Sequence, residues 1–222
     1  MPKYVLEFKK KGLIRYTSHL DMLRLFKRAF KTAGVPIEYS QGFNPHPKMG
    51  FAQPLSLGFT SECEFLEFNT TEALRSEIVL GSLKERIPQG IFLISLIESE
   101  DKRTLASRVE SAVYRAVLPL NYTHRFKDVS EKLEAFISQE QIIAQKREKK
   151  TKKYVDKDIK NQIRNIEIEA YNGWLALLVD VDAGSASNIN PEIVVQAFAK
   201  FSEITLNKGD LDIERLSISF VE

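Results

Sequence analysis

Cysteine is nearly absent from the chain. A single thiol, Cys63, in 222 residues excludes an internal disulfide, a cysteine-rich zinc site and an iron–sulfur cluster held by this chain alone. It lies in the alternating run "ECEFLEF", which reads as a strand with a buried structural thiol, since nothing nearby is arranged to lower its pKa. Histidine is scarce too: His19, His46 and His124 lack the HExxH type of spacing that a zinc site needs. There is no GxGxxG or Walker loop, so nucleotide-cofactor chemistry has no seat. No apolar run approaches the roughly 18 residues that span a membrane. The start "MPKYVLEFKKKG" has no apolar segment behind a basic leader, so no signal peptide is expected and the expected location is the cytoplasm. Charge of one sign is lacking as well. Lys and Arg total 32 against 30 Asp and Glu, a net of +2, so only clustering can speak about partners.

What is present is regular patterning. "KYVLEFKK" alternates as a strand, and Gly12 breaks it. Ser18 with Asp21 three residues on makes an N-cap and a short-armed capping box. The helix that follows carries Leu20, Leu23, Phe26, Phe30 and Ala33 at helical spacing and stops at Gly34 and Pro36. "PIEYS" is expected as a short strand and "ECEFLEFN" as another. Ser76 is expected to cap a second helix with Val79, Leu80, Leu83 and Ile87 on one face, and "GIFLISLIES" follows as a strand. The second half repeats the grammar. "ASRVESAVYRAVLP" is strand-like, and a helix with Val129, Leu133, Phe136 and Ile137 inward comes next. Strands flank a basic insertion, "GWLALLVDVDA" is an apolar strand, and Asn190 caps a helix at Pro191 whose Val194, Ala197, Phe198 and Phe201 point one way. "DLDIERLSISFVE" closes as a strand. Strand, helix, strand, strand, helix, strand is the ferredoxin-like split βαβ order. The expected fold is α+β: two ferredoxin-like halves in tandem, residues 1–98 and 105–222, with antiparallel sheets covered by helices on one face and the charged "ESEDKRT" as exposed linker.

Three features are candidates for function. The first helix carries Arg24, Lys27, Arg28 and Lys31 three and four apart. That is either a solvated face or a basic stripe, with Tyr16, Ser18 and His19 at a helix start that favours an anion. Next, "YSQGFNPHPKMGF" sets Gln41, Asn44, His46 and Lys48 among Phe43 and Phe51, turned by Gly42 and stiffened by Pro45 and Pro47. Polar donors interleaved with aromatic rings suit a nucleotide; the alternative is a rigid hairpin that caps the core. Third, "QKREKKTKKY" places Lys146, Arg147, Lys149, Lys150, Lys152 and Lys153 beside Tyr154. It reads as an exposed hairpin tip near 146–153 or as a footprint for phosphate backbones.

The run "RYTSHLDMLRLFKRAFKTAGVPIEYSQGFNPHPKMGFAQPLSLG" resembles the family of uncharacterised radical-SAM-linked bacterial proteins, domains of unknown function fused to or encoded beside cobalamin-binding radical SAM proteins. The resemblance rests on Ser18, His19, Leu20 and Asp21, the basic helix, and Tyr39 to Lys48. It implies a radical SAM protein as partner, with the iron–sulfur cluster, S-adenosylmethionine and cobalamin on that partner and no cofactor here. The paired layout is also similar to CRISPR-associated repeat-processing endoribonucleases, a likeness of fold alone.

The expected function is therefore a non-catalytic, RNA-binding accessory protein that presents a tRNA or rRNA to a radical SAM modifying enzyme. Arg24, Arg28 and Lys48 would hold phosphate, His19, Gln41, Asn44 and His46 would make directed hydrogen bonds, and Phe43 would stack. One alternative is a metal-independent ribonuclease with His19 and His46 as acid and base on a ribose hydroxyl. Another is a protein-interaction module that docks on the radical SAM partner.

Overall fold

The computed structural model describes residues 1–118, 126–147, 153–172, 174–206, 209 and 211–221, without the side chains of Phe126, Lys146 and Arg147. Within these the chain is a mixed α+β protein with five α-helices and antiparallel strand pairing. It divides into two compact units, 1–109 with 220–222, and 110–219.

In the first unit, β1 (Lys3–Lys10), β3 (Thr60–Asn69) and β4 (Ile91–Glu98) form a sheet in the order β4-β1-β3, and β2 (Met49–Phe51) pairs with β3. All these pairings are antiparallel. The register sets Tyr4 opposite Phe68, Leu6 opposite Leu66 and Phe8 opposite Glu64. Alternation sends these side chains to one face. There α1 (His19–Thr32) lays Met22, Phe26, Ala29 and Phe30, and α2 (Ser76–Lys84) adds Leu83. Phe26 lies 5.0 Å from Phe8 and 6.0 Å from Phe51 between ring centroids, while Phe30 lies 4.6 Å from Phe68.

Both ends of α1 follow the sequence signals, with one change of detail. Ser18 Oγ accepts from the Asp21 N–H at 3.2 Å. The carboxylate does not reach back to the Ser18 N–H as a capping box requires; it accepts from Ser18 Oγ at 2.7 Å and from Arg24 Nη1 at 2.8 Å. An aspartate is one methylene shorter than the usual glutamate, so the near hydroxyl captures it. At the other end Gly34 (φ 69°) donates to Lys31 O and Val35 to Phe30 O, the paired bonds of a Schellman motif. Ser18→Ala is expected to lower stability by about 1 kcal/mol, read as a shifted urea midpoint, with Ser18→Asn restoring most of it. An unchanged midpoint would show the cap to be idle.

Several sequence expectations are corrected here. Leu20 is 63% exposed, because two residues before Met22 is about 200° around a helix from the buried face. "PIEYS" makes only isolated bridges, Ile37 to Thr70 and Tyr39 to Pro47, and the second strand comes later, at Met49–Phe51. Ser76 opens α2 but does not cap it: the N-cap position is Arg75, with no side-chain cap bond. Cys63 is half-buried.

The second unit opens on β5 (Val109–Leu118), whose approach is the short α3 (Leu105–Arg108) of the first unit where strand was expected. β8 (Ile163–Tyr171), β9 (Trp174–Asp182) and β10 (Asp212–Phe220) join β5 in the order β10-β5-β9-β8. α4 (Phe126–Ile137) and α5 (Pro191–Phe201) cover it, with Phe136 5.5 Å from Phe198. Val129, Leu133 and Phe136 are buried, but Ile137 is not, nor is Phe201. Asn190 caps α5 through the Glu192 N–H at 3.1 Å. β6 (Ile143–Arg147) and β7 (Tyr154–Asp158) form a separate two-stranded ladder.

Candidate functional site

The segment after α1 is built as a closed neck with an open tip. Glu38 N–H donates to Asn69 O, Asn69 N–H to Lys48 O and Lys48 N–H to Glu38 O, each at 2.8–3.0 Å. Above them Ser40 N–H donates to His46 O at 2.8 Å, and His46 N–H to Ser40 Oγ at 3.0 Å. With the Tyr39–Pro47 bridge, these bonds fix both ends of a short loop. Its tip stands in solvent: Gln41, Phe43, Asn44 and His46 are all exposed, Phe43 at 112% of its reference area. A phenylalanine so placed contributes nothing to the core, whereas Phe51 at the end of the same segment packs there against Phe8 and Phe26.

The cations of α1 and of the loop differ in what they have left to offer. Lys48 is ion-paired to Glu38, which also accepts from Asn69 Nδ2 at 3.1 Å. The ammonium, then the amide, hold the Glu38 carboxyl below the usual range. Arg24 is paired to Asp21, whose carboxyl is lowered first by the Ser18 hydroxyl and then by Arg24. Lys27, Arg28 and Lys31 are exposed and, among the described residues, make no ion pair. Lys27 Nζ sits 5.9 Å from the centre of the Tyr39 ring. It shares with Lys31, Ile37, Tyr39, Pro47 and Met49 a groove of about 280 Å³, whose lining contains no carboxylate.

The start of α1 is a second, separate environment. His19 is half-buried with its ring 5.3 Å from Phe51, and burial lowers its pKa. It lines a cavity of about 20 Å³ with Lys10, Phe51 and Glu64. Lys10 and Glu64 are 3% and 4% exposed. Lys10 Nζ donates to Thr17 O at 3.2 Å and Arg15 O at 3.4 Å. A space this size holds about one water, and His46 is not in its lining. The two histidines thus do not share this cavity. Leu13, Tyr16, Leu20 and Leu57 are each more than 60% exposed. The 3-10 turn Gly12–Tyr16 is tied to the segment between β2 and β3 by Gly58 N–H donating to Arg15 O at 3.0 Å and by Arg15 Nε donating to Gly58 O.

Sequence reasoning missed the buried charges. Lys10 continues the inward alternation of Tyr4, Leu6 and Phe8, a signal that could have placed it on the core face. In the second unit Arg215 is 1% exposed, two residues after the buried Ile213 on the same face of β10, and its Nε donates to Tyr114 Oη at 3.2 Å.

The basic hairpin belongs to the second unit. Arg147 pairs with Tyr154 and Lys146 with Val155 in the β6–β7 ladder. Tyr154 is 69% exposed and Lys153 is exposed. Lys149, Lys150 and Lys152 lie outside the described residues, as does His124. Among the described residues no cluster of histidine, cysteine or acidic side chains could hold a metal ion, and no helix is long and apolar enough to cross a membrane.

Comparison with known proteins adds little about activity. No curated protein matches the chain. Among solved structures it is similar to an unknown protein from Galdieria sulphuraria, with 11% identity, 100% of this chain and 99% of that one covered, and a TM-score of 0.27. That is too low to carry fold or function across. The match to a family model runs over residues 3–191, from β1 to the start of α5, and so includes the α1 stripe, the Gln41–His46 tip, the groove and the basic hairpin. The chain belongs to the family described as an uncharacterized protein conserved in bacteria, DUF2344.

Proposed function

We propose that this protein is a non-catalytic RNA-binding accessory protein of the cytoplasm. It presents a tRNA or rRNA to a radical SAM enzyme, and the iron–sulfur cluster, S-adenosylmethionine and cobalamin of the modification reside on that partner. The observation that carries the RNA reading is the Phe43 tip: an aromatic ring wholly in solvent, beside the exposed amide and imidazole groups of Gln41, Asn44 and His46, on a neck held by backbone hydrogen bonds. A rigid ring with donors around it is a stacking platform for an unpaired base. Arg28, Lys27 and Lys31 supply cations without carboxylate partners among the described residues. Lys48 and Arg24 add charge only by leaving Glu38 and Asp21. The basic hairpin of the second unit, Lys146 to Lys153, is a further candidate for phosphate contacts.

The architecture that goes with this reading is two ferredoxin-like halves in tandem, over 1–98 and 105–222. What supports it is that β4-β1-β3 with β2 beyond, and β10-β5-β9-β8, place corresponding strands in the same order once the β6–β7 hairpin is set aside as an insertion.

Phe43→Ala is expected to weaken binding of structured RNA by about 1–3 kcal/mol in a filter-binding assay, the usual cost of losing one stacked base. Arg24→Ala with Arg28→Ala should also weaken it and flatten its salt dependence. Variants that bind like wild type at low and moderate salt would remove the RNA role. A second reading, docking on the protein partner, is favoured by the exposed Leu13, Tyr16, Leu20 and Leu57. Co-purification that survives nuclease and is lost on Leu20→Asp would favour it over the first.

A further inference from the structure

We infer that the groove between the C-terminal half of α1 and segment 35–49 seats one nucleotide of a single-stranded RNA, with the base against Tyr39 and the adjoining phosphates against Lys27 and Lys31. This rests on the RNA reading above and gives it a second point of attachment, at the root of the loop as well as at its tip.

Charge is the first argument. Lys27 and Lys31 are four apart on one helix, so they rise from the same side with Cβ atoms about 5–6 Å apart. Neither makes an ion pair among the described residues, and no carboxylate lines the groove. Two neighbouring cations without a counter-charge favour an occupant with more than one negative group, and successive phosphates of a strand meet that need. Arg24 and Lys48, by contrast, each have an acid in hand.

Shape and chemistry of the walls narrow the occupant. Tyr39 is 41% exposed and already has the Lys27 ammonium 5.9 Å from its ring centre. Ile37, Pro47 and Met49 make the remaining surface apolar. A flat ring, apolar floor and cations at the edge fit a base attached to a phosphodiester. An acidic peptide would use the lysines and leave the ring idle. About 280 Å³ lies just below the usual range for small-ligand sites. A duplex keeps its bases stacked inside and could not lay one on Tyr39.

The groove is also set before any ligand arrives. Gly34 and Val35 are fixed by their bonds to the last turn of α1, and Tyr39 by its bridge to Pro47. Binding there orders little of the protein, which keeps the entropic cost on the RNA side.

The test is fluorescence anisotropy with a short oligouridine strand, the same strand annealed to its complement, and a glutamate-rich peptide. The proteins are wild type, Tyr39→Leu, Tyr39→Phe, Phe43→Ala, and Lys27→Ala with Lys31→Ala. The strand should bind more tightly than the duplex or the peptide. Tyr39→Leu should weaken it on the order of tenfold or more, while Tyr39→Phe stays near wild type. The double lysine variant should lower the slope of log affinity against log salt by about 1.4, roughly 0.7 for each phosphate that is no longer neutralised. If wild type binds no RNA, the function and the groove fail together. If it binds, loses affinity on Phe43→Ala and is indifferent to Tyr39 and the lysines, the groove alone fails. Equal affinity for duplex, or tighter binding of the peptide, also overturns the groove. Should Tyr39→Leu not fold, photocrosslinking of a 4-thiouridine strand to wild type decides: label on the peptide bearing Tyr39 supports the assignment, and label only elsewhere overturns it.

Discussion

Phe26→Ala is expected to destabilise the first unit by about 3–5 kcal/mol, the range for removing a fully buried aromatic ring. Phe26 has no exposed area and packs against Phe8, Phe30 and Phe51. Those neighbours are themselves rings on three different elements, and Phe8 and Phe51 are held by strand pairing. They cannot close in on the space left behind, so the cavity term adds to the lost transfer energy. Leu20→Ala is the matched control. It removes an apolar side chain from the same helix at a position 63% exposed, where about 0.5 kcal/mol or less is expected. Urea titrations followed by circular dichroism would measure both. Similar small shifts for the two would mean that the aromatic cluster does not hold α1 to the sheet.

Gly90→Ala is expected to cost about 2–4 kcal/mol, from a backbone source rather than a packing one. Gly90 has φ 95°, and a Cβ built there would lie 2.6 Å from the Lys11 carbonyl oxygen and 3.0 Å from Ile14 Cγ2. Its own carbonyl accepts from the Lys11 N–H at 2.7 Å. The first methyl group therefore strains the torsion and pushes against the strand exit that its backbone is bonded to. Gly34→Ala separates the two causes: its φ is 69°, but nothing lies within 4 Å of its Cβ position. Only the torsional part remains there, about 1–2 kcal/mol. Equal urea midpoints for the two variants would show that the crowding against Lys11 relaxes freely.

The functional consequence of these two positions is indirect. Phe26 and Gly90 support the sheet from which the loop neck hangs, through Asn69 at the end of β3. Neither side chain lines the groove of Lys27, Lys31 and Tyr39. Loss of RNA affinity in Phe26→Ala at a temperature where the protein stays folded would point to transmission through α1. Retained affinity would confine the effect to stability.

Much of this protein was legible in the chain itself. The alternation of Tyr4, Leu6 and Phe8, the Ser18 cap, the Gly34 stop and the Asn190–Pro191 start are local devices, read from a few adjacent residues because their causes act over one or two turns. The order of strands and helices follows from the same local signals. What the linear pattern could not decide was anything set by residues distant in sequence. "PIEYS" has strand composition, yet hydrogen bonds from Asn69 and Lys48 make it the neck of a loop, and the pairing passes to Met49–Phe51. Lys48 reads as a free cation until the fold brings Glu38 and Asn69 to it; Lys10, Glu64 and Arg215 read as surface charge until alternation and packing bury them. Charge type and helical spacing are written in sequence. Which charges remain for a ligand is settled by partners that only tertiary structure supplies, because electrostatic pairing and desolvation act through space and not along the chain.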